Sequence, residues 1–192
     1  VIGFDINQHR IKKLQEYHDD TGEVSKRDLK NSKIYFTSDD KNLSKANFHI
    51  ITVPTPIDEY KNPDLSLIIK ACEMLGRIIK KNDTVIIEST VYPGVTEDIV
   101  VPIISKISEL KLNKDFSIGY SPERINPADK KNKFETIKKV ISATNEKALI
   151  QMDEVYSSVV KAANSGNLTQ ARLLVSEVST SKERQADILA TK

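Results

Sequence analysis

Short runs of β-branched and aliphatic residues alternate with helix-periodic stretches along this chain, and most of the runs end in a polar or proline-containing loop. A strand that reads as an unbroken apolar run is buried on both faces, which is the situation of a parallel sheet flanked by helices. Runs at 1–5, 33–37, 48–53, 84–88, 116–120 and 139–142 read as strands, and stretches at 7–18, 39–45, 64–81, 96–110 and 145–160 as helices. Leu65, Ile68, Cys72, Leu75 and Ile79 recur at helical spacing and mark the buried stripe of the 64–81 helix. Asn145 is a natural N-cap for the last helix. Pro54 must leave the sheet, because it has no N–H for the ladder. The polar stretch 19–31 suggests no element. After 162 the texture turns to Ser, Thr and Gln with a weak stripe at Leu168, Ala171, Val175 and Val178. The expected organisation is therefore an α/β domain over 1–162 and a helical extension over 163–192.

Composition narrows the partners. The 29 basic and 27 acidic residues nearly cancel to +2, which leaves no electrostatic footprint for nucleic acid. The apolar runs are short, and Pro102 interrupts the one at 99–104, so no membrane span is expected. One cysteine, Cys72, permits no intramolecular disulfide or multi-cysteine metal cluster and suits a reducing, cytoplasmic setting. His9, His18 and His49 show no ligand spacing. Six glycines, at 3, 22, 76, 94, 119 and 166, are too scattered for G-x-G-x-x-G or a P-loop. The chain opens Val1-Ile2-Gly3-Phe4-Asp5, with neither methionine nor the basic start of a signal peptide, and reads as a start inside a gene product.

Four loops carry the candidate chemistry, and each admits a plain structural reading too. Asp5 ends the first strand, where a carboxylate either accepts the hydroxyls of an adenosine ribose or caps the following helix. Arg10, about one turn on, either reaches the same ribose or a phosphate, or is a solvated helix charge. Thr52-Val53-Pro54-Thr55-Pro56 is a rigid loop at the carboxyl end of the 48–53 strand, the end at which open α/β sheets bind ligands; it is otherwise a strand terminator. Glu88-Ser89-Thr90-Val91-Tyr92-Pro93-Gly94 ends the next strand in a forced turn, and Thr90 there suits orientation of water or substrate. Backbone N–H groups at the helix start that follows it are a second candidate, for a phosphate. Tyr120-Ser121-Pro122-Glu123-Arg124-Ile125-Asn126-Pro127 sets Glu123, a base or water-orienter, beside Arg124, a partner for phosphate or carboxylate; a structural ion pair is the alternative.

Taken in order, Asp5-Ile6-Asn7 with Arg10 and the three loops at 52–56, 88–94 and 120–127 resemble the UDP-glucose/GDP-mannose dehydrogenase family. The resemblance covers about 1–162 and is greatest to the branch that oxidises UDP-N-acetylhexosamines for surface polysaccharides. It implies a Rossmann-like doubly wound parallel sheet, here lacking the family's first strand and its glycine-rich turn. It also implies NAD-dependent oxidation of a UDP-sugar C6 alcohol to the acid, through two hydride transfers and a cysteine-bound intermediate, in a cytoplasmic enzyme that is a homodimer at full length.

By position, Asp5 and Arg10 hold the adenosine ribose side of NAD, while Val53, Pro54, Thr55 and Thr90 line the cofactor path. Thr90 also orients water, Glu123 assists thioester hydrolysis, and Arg124 lies near the substrate. Cys72 does not match the family nucleophile, and Ala128 replaces a usual glycine. The tail after 162 lacks the family's Ala-Lys…Glu-Asn-Thr pattern. The chain alone is accordingly expected to be an inactive, partial cofactor domain. The alternative is a non-catalytic α/β binding or assembly module.

Overall fold

A computed structural model of the chain describes residues 1–60, 62–122 and 140–159. Six strands form two sheets. β1 (Ile2–Phe4) pairs in parallel with β2 (Tyr35–Thr37), while β3 (Phe48–Ile51), β4 (Thr84–Ile87) and β5 (Ser117–Tyr120) form a parallel set in that order. β6 (Ser142–Ala143) closes the second sheet as an antiparallel partner of β5, so the strand expected over 139–142 is shorter, later and reversed. A doubly wound sheet sets its second and third strands on one side of the first, and its fourth to sixth on the other. The orders β2-β1 and β3-β4-β5 reproduce those two sides, and the break between β1 and β3 falls where the first strand belongs.

β4 decides the layering, because all four of its residues are buried. Val85 and Ile87 point to one face, where Ile68, Cys72 and Leu75 of α3 (Ser66–Gly76) and Ile104 of α4 (Val101–Ser108) pack with Phe116. Ile86 points to the other, against Leu149, Met152 and Tyr156 of α5 (Glu146–Val159). Burying each such side chain contributes about 1.5–3 kcal/mol relative to leaving it exposed. Gly119 of β5 lies where the second face is tightest: a Cβ there would collide with the Met152 sulfur and come within 2.9 Å of Ile86 Cδ1 and of the Ser142 carbonyl.

The helices start and stop for local reasons. α1 (Gln8–Gln15) is capped by Asn7, whose Oδ1 accepts the Arg10 N–H at 3.1 Å, and it ends before Tyr17 with φ 60°, earlier than the 7–18 periodicity suggests. The stretch 19–31, which suggested no element, contains α2 (Lys26–Asn31), capped by Ser25. Ser25 Oγ accepts the Asp28 N–H at 3.1 Å and donates to Asp28 Oδ2 at 2.6 Å, a side-chain cap on a six-residue helix too short to show a stripe. Asp39 caps a 3₁₀ turn over Asp40–Lys45. α3 is shorter than 64–81, with Asp64 Oδ1 accepting the Ser66 N–H at 2.8 Å at its start. The helix expected over 96–110 begins as a π turn, Thr96–Val100: Pro102 has no N–H to donate, and the Val101 N–H reaches back to the Thr96 carbonyl. Asn145 caps α5 as expected, accepting the Ala148 N–H at 2.9 Å. The extension at 163–192 lies outside the described residues.

At the amino end of β3, buried His49 donates from Nε2 to Asp83 Oδ2 at 3.2 Å, and the Lys80 ammonium stands 3.0 Å from Oδ1 of the same carboxylate. Burial holds His49 below the ordinary 6.5, outweighing the attraction of Asp83. The folded state therefore keeps the neutral ring, while the unfolded chain takes a proton near 6.5. His49 thus contributes stability that is complete above that pH and lost as the pH falls through it. Urea midpoints at pH 7.5 and 5.5 should show the wild-type protein losing more stability on acidification than His49→Gln, by up to about 1.4 kcal/mol per pH unit. Gly119→Ala should lower stability at both pH values by about 1–3 kcal/mol through overpacking.

Candidate functional site

Asp5 follows β1 and extends the ladder, its N–H donating to the Thr37 carbonyl at 3.3 Å. It does not cap α1, since Asn7 does. Its Oδ1 instead accepts the Asn7 N–H at 2.8 Å, which leaves Oδ2 facing Arg10 Nε at 3.8 Å. The other end of that guanidinium, Nη2, is 3.9 Å from Oδ1 of Asp19. Asp19 belongs to the stretch for which the sequence suggests neither element nor role, and its side chain is only 5% exposed although 20–24 are exposed. It accepts from Thr21 Oγ1 at 2.8 Å, from Thr21 N at 3.2 Å, and from the N–H groups of Glu23 and Val24 at 3.1 Å each. These donors, the Thr21 hydroxyl first, hold its carboxyl below the usual carboxylate range. The signal in the sequence was Asp19 ahead of Thr21-Gly22, an Asx-turn pattern with Gly22 at φ +69°.

The second and third candidate loops come together because β3 and β4 are neighbours in register, Ile51 beside Ile87. The Glu88 N–H extends the ladder to the Ile51 carbonyl at 2.9 Å. Beyond it the two loops exchange side-chain bonds: Ser89 Oγ donates to the Val53 carbonyl at 2.6 Å, and Thr55 Oγ1 donates to the Thr90 carbonyl at 2.7 Å. Between them opens a cleft of about 440 Å³ whose walls include Val53, Pro54, Thr55 and Thr90. Ser89, buried and bonded across the loops, was within the run that the sequence marked, but no role was attached to it.

The Pro93-Gly94 turn forms, with Gly94 at φ +97°. Glu97 and Asp98 occupy the first turn that follows, which disfavours a phosphate at that helix start. Beyond β5 the Ser121 N–H donates to the Ile87 carbonyl at 3.0 Å, and the rest of the fourth loop, with Glu123 and Arg124, lies outside the described residues. Cys72 is fully buried, and burial pushes its thiol up to about 12, so it is a core residue and no nucleophile. Among the described residues, no group of three or more His, Cys, Asp or Glu side chains is arranged to hold a metal ion, and no helix is long and apolar enough to cross a membrane.

A carboxylate ending one strand, with a cleft outside the carboxyl ends of two others, is the arrangement of a dinucleotide-binding α/β domain. The sequence model of the UDP-glucose/GDP-mannose dehydrogenase family, NAD binding domain, matches residues 1–160, and the chain belongs to that family. Protein CapL of Staphylococcus aureus is 52% identical over 162 residues, 84% of this chain and 38% of that protein. UDP-N-acetyl-D-glucosamine 6-dehydrogenase of Pseudomonas aeruginosa is 49% identical over 163 residues, 84% of this chain and 39% of that protein. The solved UDP-D-ManNAc dehydrogenase of Pyrococcus horikoshii superposes with a TM-score of 0.77 at 30% identity, over 84% of this chain and 39% of that one. The chain thus spans somewhat over a third of the length of these relatives.

NAD is the cofactor of the matched domain. The residues present fit it in part: Asp5 keeps one carboxylate oxygen free of backbone partners, and the cleft at β3 and β4 is walled by short polar and apolar side chains. A glycine-rich turn for the pyrophosphate is absent from the sequence. Ser89→Ala should cost about 1 kcal/mol of stability. It should also speed amide hydrogen exchange at 52–55, read by mass spectrometry, while exchange in α5 stays unchanged.

Proposed function

We propose that the chain is the cofactor-binding part of an NAD-dependent UDP-N-acetylhexosamine 6-dehydrogenase, which oxidises the sugar C6 alcohol to a uronic acid for surface polysaccharide. The observation that carries the reading is the cleft between the loops at 52–55 and 88–90, on a chain 49% and 45% identical to two UDP-N-acetyl-D-glucosamine 6-dehydrogenases. In this reading Asp5 accepts hydrogen bonds from the adenosine ribose and Arg10 lies against the same sugar. Each charge-assisted bond contributes roughly 1.5–3 kcal/mol. Val53, Pro54 and Thr55 form one wall of the nicotinamide end, and Thr90, exposed at the rim, orients water and cofactor. Bound NAD supplies the hydride acceptor.

Glu123 and Arg124 are assigned on sequence alone. Glu123 takes a proton from the water that hydrolyses the thioester, general-base help of about 10²–10⁴-fold. Arg124 pairs with the UDP-sugar. The working enzyme is placed in the cytoplasm as a homodimer, the chain's 1–162 forming the cofactor domain and 163–192 an added helical segment.

This chain by itself is expected to be inactive, because the thioester route needs a reactive cysteine and the one in this sequence is buried Cys72. Two assays test the proposal. The open reading frame that encodes this chain, expressed whole, should release two NADH per UDP-N-acetylhexosamine and turn over UDP-glucose far more slowly; equal rates, or none with any UDP-sugar, would overturn the assignment. The 192-residue chain under the same conditions should release no NADH.

A further inference from the structure

A carboxylate at the end of the ribose-binding strand selects a dinucleotide with a free 2′-hydroxyl, whereas an arginine nearby accommodates a 2′-phosphate. This chain carries both, Asp5 and Arg10, 3.8 Å apart, so that pair alone does not set the choice. We propose that Asp19 sets it: by engaging the far end of the Arg10 guanidinium, Asp19 turns the arginine from a phosphate receptor into a spacer between two carboxylates and bars 2′-phosphorylated dinucleotides. The inference rests on the ribose-site reading above.

Three observations support it. Asp19 is anchored independently of Arg10, since Thr21, Glu23 and Val24 supply four hydrogen bonds to its two oxygens. It therefore does not swing aside with the arginine. Those same donors keep it ionised at neutral pH and below. The nearby Lys13 ammonium is engaged by Asp20, at 2.8 and 2.9 Å from its two oxygens, and leaves Asp19 to Arg10.

Asp5, Arg10 and Asp19 together carry one net negative charge toward the ribose, where Asp5 and Arg10 alone would carry none. A 2′-phosphate brings close to two more negative charges, so the third group converts near-neutrality into repulsion. Asp19 acts through Arg10 and is a positioning residue with no contact of its own to the ligand.

Calorimetric titration of NAD and of NADP, at one fixed ionic strength, into the protein expressed from the whole open reading frame tests this. Asp19→Asn keeps the size of the side chain and a carbonyl acceptor for the loop. It should shift the ratio of affinities toward NADP by on the order of tenfold, with NAD binding changed by less than about threefold. The shift should vanish when Asp19→Asn is made on an Arg10→Gln background. An unchanged ratio, a common fall in both affinities as from a collapsed loop, or a shift that survives Arg10→Gln would overturn the inference and leave the ribose site standing. NAD affinity unmoved by both Asp5→Asn and Arg10→Gln would overturn the ribose site, and this inference with it.

Discussion

Parallel pairing of β4 with β3 on one side and β5 on the other is the constraint on which the rest of the molecule depends. A strand hydrogen-bonded on both edges and apolar on both faces has no surface left for water, so helices must cover it above and below. Val85 and Ile87 recruit α3 and α4, and Ile86 recruits α5. The same registers bring the three carboxyl ends level, and from that level the loops at 52, 88 and 121 leave the sheet together. Core and cleft are thus two results of one set of backbone bonds.

Electrostatics divides along the strand direction. At the amino ends, His49, Asp83 and Lys80 are buried or half-buried and pair with one another, and they tie β3 to the turn that precedes β4. At the carboxyl ends, polar groups stand at the rim: exposed Thr90, and Asp5 with one oxygen turned away from the backbone. Charge that is internally satisfied holds a fold; charge left open is available to a ligand. Asp5, Arg10 and Asp19 form a further charged set beyond β1, and Asp19, its most buried member, is fixed by its own loop.

Strands and cleft loops were legible in the sequence because both depend on local signals. Apolar runs mark β1, β3, β4 and β5, and the Pro54 and Pro93-Gly94 punctuation marks where they stop. What the sequence hid depends on geometry beyond a window of residues. α2 is six residues long and rests on the Ser25–Asp28 exchange more than on periodicity. The π turn at Thr96–Val100 is a backbone response to Pro102, which leaves the apolar pattern of that helix unaltered. The direction of β6 depends on its partner, and a two-residue strand has no polarity to read. Asp19 looked like one more acid in a polar loop, since its burial comes from hydrogen bonds that its own chain folds back to provide. Of the candidate residues, Val53, Pro54, Thr55 and Thr90 line one cleft and Asp5 and Arg10 lie 3.8 Å apart beyond β1, while the pairing of Ser89 with the Val53 carbonyl emerges only once β3 and β4 lie side by side.

The reciprocal bonds from Ser89 to the Val53 carbonyl and from Thr55 to the Thr90 carbonyl join the two loops directly. Each loop is the other's scaffold. Ordering a flexible loop on association subtracts from affinity, by about 0.5–1.5 kcal/mol for each mobile side chain that must be immobilised. Here two bonds join the loops to each other, so a ligand bound between them would have less of that ordering to supply.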